Sequence, residues 1–187
     1  MTSALGRQEK EDGTQTMNIR IFIEKEECLL GVRVGLVPLH RRNYKQETLP
    51  GSLKAPVAYC MLRLAEIRKD ESVLDPMCGV GTIALEAAAF TKNIIAGDAS
   101  QEALDIAQKS NHTDADIAFC QRDVRHMTLA DASIDHIVTN APFGKQVQID
   151  QPELFFTELL QEFLRVLKKD GNIIVLTDHT DMVRKAA

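Results

Sequence analysis

The stretch from Ser72 to Phe90, S-V-L-D-P-M-C-G-V-G-T-I-A-L-E-A-A-A-F, constrains this chain more than any other. Val73 and Leu74 form a short apolar run that ends at Asp75, and a turn carrying Gly79 and Gly81 leads into a helical stretch, Thr82 to Phe90. The order is strand, tight loop, helix. In doubly wound α/β folds a nucleotide-like cofactor lies at that junction, because glycines let the backbone approach the ligand and the helix start offers unpaired N–H groups. The spacing of Gly79, Gly81 and Ala84 also satisfies the G-x-G-x-x-A pattern of dinucleotide binding. Asp75, at the strand end four residues before Gly79, separates the two readings: a carboxylate there repels a pyrophosphate but suits the ammonium of S-adenosyl-L-methionine.

The strand and helix pattern continues. Asn93 to Ala96 is a second apolar run closed by Gly97 and Asp98, followed by Ala99 and a helix over Gln101 to Ser110 with Leu104, Ile106 and Ala107 inward. Asp98 stands where a carboxylate can accept from both ribose hydroxyls. Ile117 to Phe119 is a third strand, after which Asp123 can accept from an adenine amino group while the Val124 N–H donates to a ring nitrogen. Ile134, Ile137 and Val138 mark a fourth strand. Glu153 to Lys168 has helical periodicity, with Leu154, Leu159, Phe163, Leu164 and Leu167 inward, and is stopped by Asp170-Gly171. Asn172 to Thr177 is a fifth strand. Such alternation predicts a Rossmann-like, doubly wound, mostly parallel sheet.

The fourth strand runs into Asn140-Ala141-Pro142-Phe143, beside the expected crevice. An exocyclic amine on a nucleobase is a poor nucleophile, because its lone pair is delocalised into the ring. Two acceptors must therefore hold its N–H bonds and aim the nitrogen at a methyl donor. The Asn140 side-chain oxygen and the Ala141 carbonyl fit that need, Pro142 stiffens the turn, and Phe143 can stack on an extruded base.

Composition limits the rest. The 187 residues are 44% hydrophobic and 26% charged, which suits one core and a small appendage: a disordered tail (1–16), a β-hairpin and linker (17–50) and a catalytic domain (51–187). The hairpin pairs Asn18 to Ile23 with Cys28 to Val34 across a charged turn and has one buried face. Ser52 is expected to cap a helix reaching Arg68, with Ala58, Met61, Leu62 and Ala65 inward. No run approaches a membrane span and no signal-peptide core opens the chain, so the expected compartment is intracellular, in the cytoplasm. Cys28, Cys60, Cys78 and Cys120 form no C-x-x-C pair, and the five histidines have no ligand spacing, so no metal is expected. The net charge of −5 argues against unaided nucleic-acid binding. The basic segment Leu39 to Lys45 is the exception: Arg41, Arg42 and Lys45 can meet phosphates and Tyr44 can stack on a base, or the segment is simply a solvated linker.

D-P-M-C-G-V-G-T-I and N-A-P-F-G-K, preceded by L-H-R-R-N-Y-K and L-K-A-P, resemble the catalytic domain of the THUMP-associated RNA guanosine-N2 methyltransferases from about Asn18 to Asp178. The resemblance implies methylation of a guanine N2 amine in structured RNA, tRNA foremost, with S-adenosyl-L-methionine as donor. It places Asp75, Met77, Cys78, Gly79, Gly81, Thr82, Asp98, Ala99, Asp123, Val124 and Asn140 around the donor and Asn140 to Phe143 at the base, with Lys145 among the RNA contacts. Two features depart from the family pattern: only the hairpin and linker precede the catalytic domain, and position 141 is Ala where many relatives have Pro. The sheet is also expected to stop after its fifth strand, leaving an edge for a protein activator or a second copy. Adenine-N6 or protein-amide methylation, a nicotinamide-dependent oxidoreductase and a non-catalytic binding module are the competing readings.

Overall fold

Two apolar-rich runs on either side of Lys25-Glu26 fold back as an antiparallel hairpin, β1 (Asn18–Glu24) and β2 (Glu27–Arg33), with Ile19 opposite Val32 and Ile23 opposite Cys28. Lys25 has φ 54°, the left-handed conformation that a two-residue hairpin turn selects. The computed structural model describes residues 18–33, 42, 44, 52–142 and 151–186, so the expected tail and most of the linker lie outside the described residues. The hairpin differs from expectation. Ile19, Ile21 and Ile23 are 54%, 50% and 67% exposed and Phe22 on the other face is 57% exposed, because a two-stranded ribbon has no second layer of its own to cover either face. It forms one compact unit, and the chain from Arg42 onward forms another.

In that second unit β3 (Ser72–Asp75), β4 (Asn93–Asp98), β5 (Asp116–Gln121), β6 (Ile134–Asn140) and β7 (Leu167–Leu176) form one sheet in the order β5-β4-β3-β6-β7. Every pairing in it is parallel. The helices α1 (Ala55–Leu64), α2 (Thr82–Ala87), α3 (Gln101–Ser110), α4 (Pro152–Val166) and α5 (Thr180–Ala186) complete a Rossmann-like fold. A parallel sheet is covered on both faces, and the strand period of two shows it: Val73 and Val138 join one core cluster with Leu62, Ile83 and Leu104, while their neighbours Leu74 and Ile137 join the other with Leu159 and Phe163. Phe163 is fully buried, so Phe163→Ala should lower unfolding stability by about 3–5 kcal/mol in a denaturant titration.

Three details differ from the sequence expectation. The first helix begins at Ala55 instead of Ser52, with Lys54 as an N-cap that makes no side-chain bond and a proline in the first turn presetting φ. In α4 the inward stripe is Phe156, Leu159, Leu160, Phe163 and Val166, at spacings of three, one, three and three, which turns Leu154 and Leu164 outward to 50% and 60% exposure. Asp170-Gly171 does not end that helix. The chain already turns extended at Leu167, which pairs with Ile134, and the register shifts before His136 meets Asn172, placing Asp170 and Gly171 in the irregular part of β7. His136 is buried there, bonded to Glu71 at 2.8 Å and Asn172 at 3.0 Å.

The strand order reverses between β4 and β6, on either side of β3. Their carboxyl ends therefore border the crevice where ligands of such sheets lie.

Candidate active site

The loop after β3 takes its shape from two glycines and one carboxylate. Gly79 and Gly81 have φ 52° and 82°, and Gly81 is the N-cap of α2. The Gly79 N–H donates to Asp98 Oδ2 at 2.7 Å and the Ser100 N–H to Asp98 Oδ1 at 2.9 Å, while the Cys78 N–H donates to the Gly97 carbonyl at 2.8 Å. Asp98 thus fastens the loop to the end of β4. Each of its oxygens retains a lone pair, so the ribose role expected of it is compatible with this bonding. A Cβ on Gly81 would stand 2.9 Å from the Ala107 Cβ of α3. Gly81→Ala combines that overlap with a left-handed φ, so it should cost about 1–3 kcal/mol and lower the melting temperature by several degrees.

Asp75 is 1% exposed at the end of β3. Its Oδ1 accepts from the Thr139 hydroxyl at 2.9 Å, and its carboxylate also accepts from the Met77 N–H. Burial pushes this carboxyl up to about 7, with nearby Asp98 adding to the rise and the two donors opposing it. No cation among the described residues offsets that cost. A buried carboxylate with donors but no counter-charge is a fitting seat for a ligand ammonium. Met77 packs against the α4-side core, Thr82 is buried at the start of α2, and Cys78 is buried in the loop, where burial pushes its thiol up.

Asn140 ends β6 opposite Leu176, and the Ala141 N–H donates to the Leu176 carbonyl at 3.0 Å. The Asn140 Oδ1 is buried without a hydrogen-bond partner, a condition that costs roughly 1–3 kcal/mol unless a ligand relieves it. Asn140 directly follows Thr139, whose hydroxyl holds Asp75, so the β3 crevice and the Asn140-Ala141-Pro142 turn meet at one edge of the sheet. Phe143 and Lys145 lie outside the described residues, as do Arg41 and Lys45.

At the far end of the crevice the Arg122 N–H donates to the Asp98 carbonyl at 2.9 Å and Gln121 Nε2 to the Ala99 carbonyl at 2.9 Å, which brings Asp98, Ala99 and Asp123 together. Asp123 is held by Arg125, through its backbone N–H at 2.9 Å and through Nε and Nη2 at 3.0 and 2.7 Å. Those bonds hold the Asp123 carboxyl down to about 2. Val124 is buried beside it.

Arg42 and Tyr44 converge on Glu86 of α2. Arg42 Nε donates to Glu86 Oε1 at 2.7 Å and Nη2 to Oε2 at 3.3 Å, and the Tyr44 hydroxyl donates to Oε1 at 2.5 Å. Glu86 is 7% exposed, so Arg42 and Tyr44 strap onto the helix that follows the glycine loop. Burial pushes the Tyr44 hydroxyl up. In the described structure both side chains thus bond to α2. Thr139, Glu86 and Arg122 were not singled out from the sequence. Glu86 had a signal, a lone charge in the apolar run I-A-L-E-A-A-A, which a buried helix tolerates only with a partner.

Residues 42–187 match the family described as the RMKL-like methyltransferase domain. A tRNA (guanine(6)-N2)-methyltransferase of Thermus thermophilus is 34% identical over 179 residues, covering 91% of this chain and 52% of the relative. The U6 snRNA (guanine-N(2))-methyltransferase THUMPD2 of Bos taurus is 34% identical over 85% of this chain and 32% of its own length. The crystal structure of TrmN from Thermus thermophilus superposes with a TM-score of 0.78 at 30% identity, over 91% of this chain and 52% of that one. The chain thus spans about half or less of the relatives it matches. With the glycine loop, the buried strand-end carboxylate and the Asn-Ala-Pro turn on one edge of a β5-β4-β3-β6-β7 sheet, the chain belongs to the RMKL-like methyltransferase domain family.

Proposed function

We propose that this chain transfers a methyl group from S-adenosyl-L-methionine to the N2 amine of a guanine in structured RNA, tRNA foremost. The observation that carries this reading is the buried, unpartnered Asn140 Oδ1 one residue from the Thr139 that holds Asp75. When bound, the donor supplies an electrophilic methyl on a sulfonium. Asp75 would receive its ammonium, Asp98 its ribose, and Asp123 with the Val124 N–H its adenine. The loop from Met77 to Thr82 would lie along it, with Ala99 beside the ribose.

Asn140 Oδ1 and the Ala141 carbonyl would accept the two N–H bonds of the target amine, holding the nitrogen lone pair along the line of attack, and Phe143 would cover the base. Neither acceptor needs to take a proton before transfer, since methylation makes the amine acidic and one proton then leaves to water. Arg41, Lys45 and Lys145 would meet RNA phosphates, and the acidic balance of the chain leaves part of the grip to a further module or an activating subunit at the β7 edge. Among the described residues no helix is long and apolar enough to cross a membrane, and the reading places the protein with its RNA in the cytoplasm.

Calorimetry separates cofactor classes: S-adenosylhomocysteine should bind and NAD should not. Tritiated methyl should pass from the donor to unmodified tRNA. Binding of NAD alone would transfer the case to a nicotinamide enzyme, and donor binding without methyl transfer would leave a non-catalytic module.

A further inference from the structure

Glu86 stands where a carboxylate is costly. It lies one residue from the end of α2, a helix whose six residues are all buried, and its neighbours Ile83, Leu85 and Ala87 belong to the apolar core. Burial penalises the charge, and so does the helix C-terminus, whose unpaired carbonyls carry partial negative charge. Arg42 and Tyr44 offset that penalty, but a buried ion pair stabilises a fold no better than apolar residues of similar volume. What such a pair adds is direction: two N–H groups of one guanidinium on the two oxygens of one carboxylate fix orientation as well as distance.

The other end of α2 is the glycine loop. Gly81 caps the helix, its carbonyl accepts from the Leu85 N–H at 2.8 Å, and its N–H donates to the Cys78 carbonyl at 2.8 Å. Only five residues separate Gly81 from Glu86, roughly 7 Å of helix axis, so a bond at Glu86 acts on the loop through little more than one turn. The ring of Tyr44 packs against the same core cluster as Ile83 and Leu85 while its hydroxyl reaches Glu86 Oε1. Helix α2 is thus tied at one end by the Gly79 N–H on Asp98 and at the other by Arg42 and Tyr44.

We propose that Arg42 and Tyr44 are positioning residues for the donor site, holding α2 through Glu86 and with it the Cys78 to Thr82 loop in the arrangement that receives S-adenosyl-L-methionine. The proposal rests on the donor reading above. It divides the basic segment, giving Arg42 and Tyr44 to the donor and leaving Arg41 and Lys45 to RNA. A phosphate contact and a positioning residue have different signatures: loss of the first weakens RNA binding, and loss of the second weakens donor binding.

The test uses the whole chain at a temperature where every variant is folded. Tyr44→Phe removes one hydroxyl and keeps the ring packing. By calorimetry its S-adenosylhomocysteine affinity should fall about fivefold. Arg42→Lys, which keeps the charge and loses the fork, should retain more affinity than Arg42→Met, for which the loss should be roughly 30-fold. In hydrogen exchange without ligand, the Gly79, Gly81 and Leu85 amides of Tyr44→Phe should exchange several-fold faster, while the amides of Val138 and Ile174, paired in the sheet, keep parent rates. In methyl transfer the donor KM should rise and the tRNA KM should not. Parent affinity in all three variants, or exchange that quickens equally at Val138 and Ile174, would reduce the strap to a fold contact and overturn the proposal. A raised tRNA KM with donor affinity intact would make Arg42 an RNA contact and overturn it too. A parent that binds no S-adenosylhomocysteine refutes the donor reading itself, whereas a parent and variants that bind it equally refute the strap alone.

Discussion

Asn140→Ala is expected to lower methyl transfer to tRNA by roughly 10²–10³-fold, the range found when one preorganised hydrogen-bonding group is removed from a reacting centre. S-adenosylhomocysteine affinity should change far less, since Asp75, Asp98 and the glycine loop would hold most of the cofactor. Stability should move the other way. Oδ1 of Asn140 is buried without a partner, so deleting it removes an unpaid desolvation cost and should raise unfolding stability by up to about 1 kcal/mol. A variant that melts higher yet turns over poorly is the signature of a group kept for a ligand. Unchanged turnover would remove the role assigned to the Asn-Ala-Pro turn.

Asp75→Asn should show the same opposition more strongly. The folded chain holds the Asp75 proton up to about 7, whereas the unfolded chain releases it near 3.8, the ordinary value. Between those values the folded state binds more protons, so stability falls as pH rises through the window. The loss, of order 4 kcal/mol for a shift of about three units, is complete above pH ~7. Asparagine cannot ionise. It can still accept from the Met77 N–H and donate to the Thr139 hydroxyl, so the variant should melt higher than the parent at pH 8 and lose that advantage near pH 4. Cofactor affinity should drop about 100-fold at pH 8, because the carboxylate facing the ammonium is gone. In the parent, S-adenosylhomocysteine affinity should weaken below pH ~7 by up to about tenfold per unit, since the ligand must then displace a proton. A flat affinity profile from pH 6 to 8, or a variant that binds like the parent, would refute the ammonium seat.

The sheet was legible because β3, β4 and β6 are short apolar runs ending in Asp or Asn, and Val73/Leu74 and Ile137/Val138 feed opposite faces in turn. Helix α3 was legible to its ends because Ser100 caps it, accepting from the Ala103 N–H at 3.2 Å, and its buried residues recur at helical spacing. The end of α4 was not legible. Asp170-Gly171 is a helix stop by composition, but the pairing of Leu167 with Ile134 is a long-range contact that takes the chain into a strand four residues earlier.

The site divides in the same way. Asp75, Gly79, Gly81 and Asn140 are conspicuous because their residue types are unusual at those positions. Thr139 acts through Asp75, a neighbour 64 residues away that the fold brings near. The strap from Arg42 and Tyr44 to Glu86 was hidden for the same reason: the buried acid that they meet is 44 and 42 residues away in the sequence.

The most direct measurement is nucleoside mass spectrometry of unmodified tRNA after incubation with the chain and a methyl-labelled donor. Labelled N2-methylguanosine that disappears with Asn140→Ala is the predicted result. Labelled N6-methyladenosine, or N2-methylguanosine formed equally by parent and variant, would contradict a guanine amine being held at the Asn140 turn beside the Asp75 crevice.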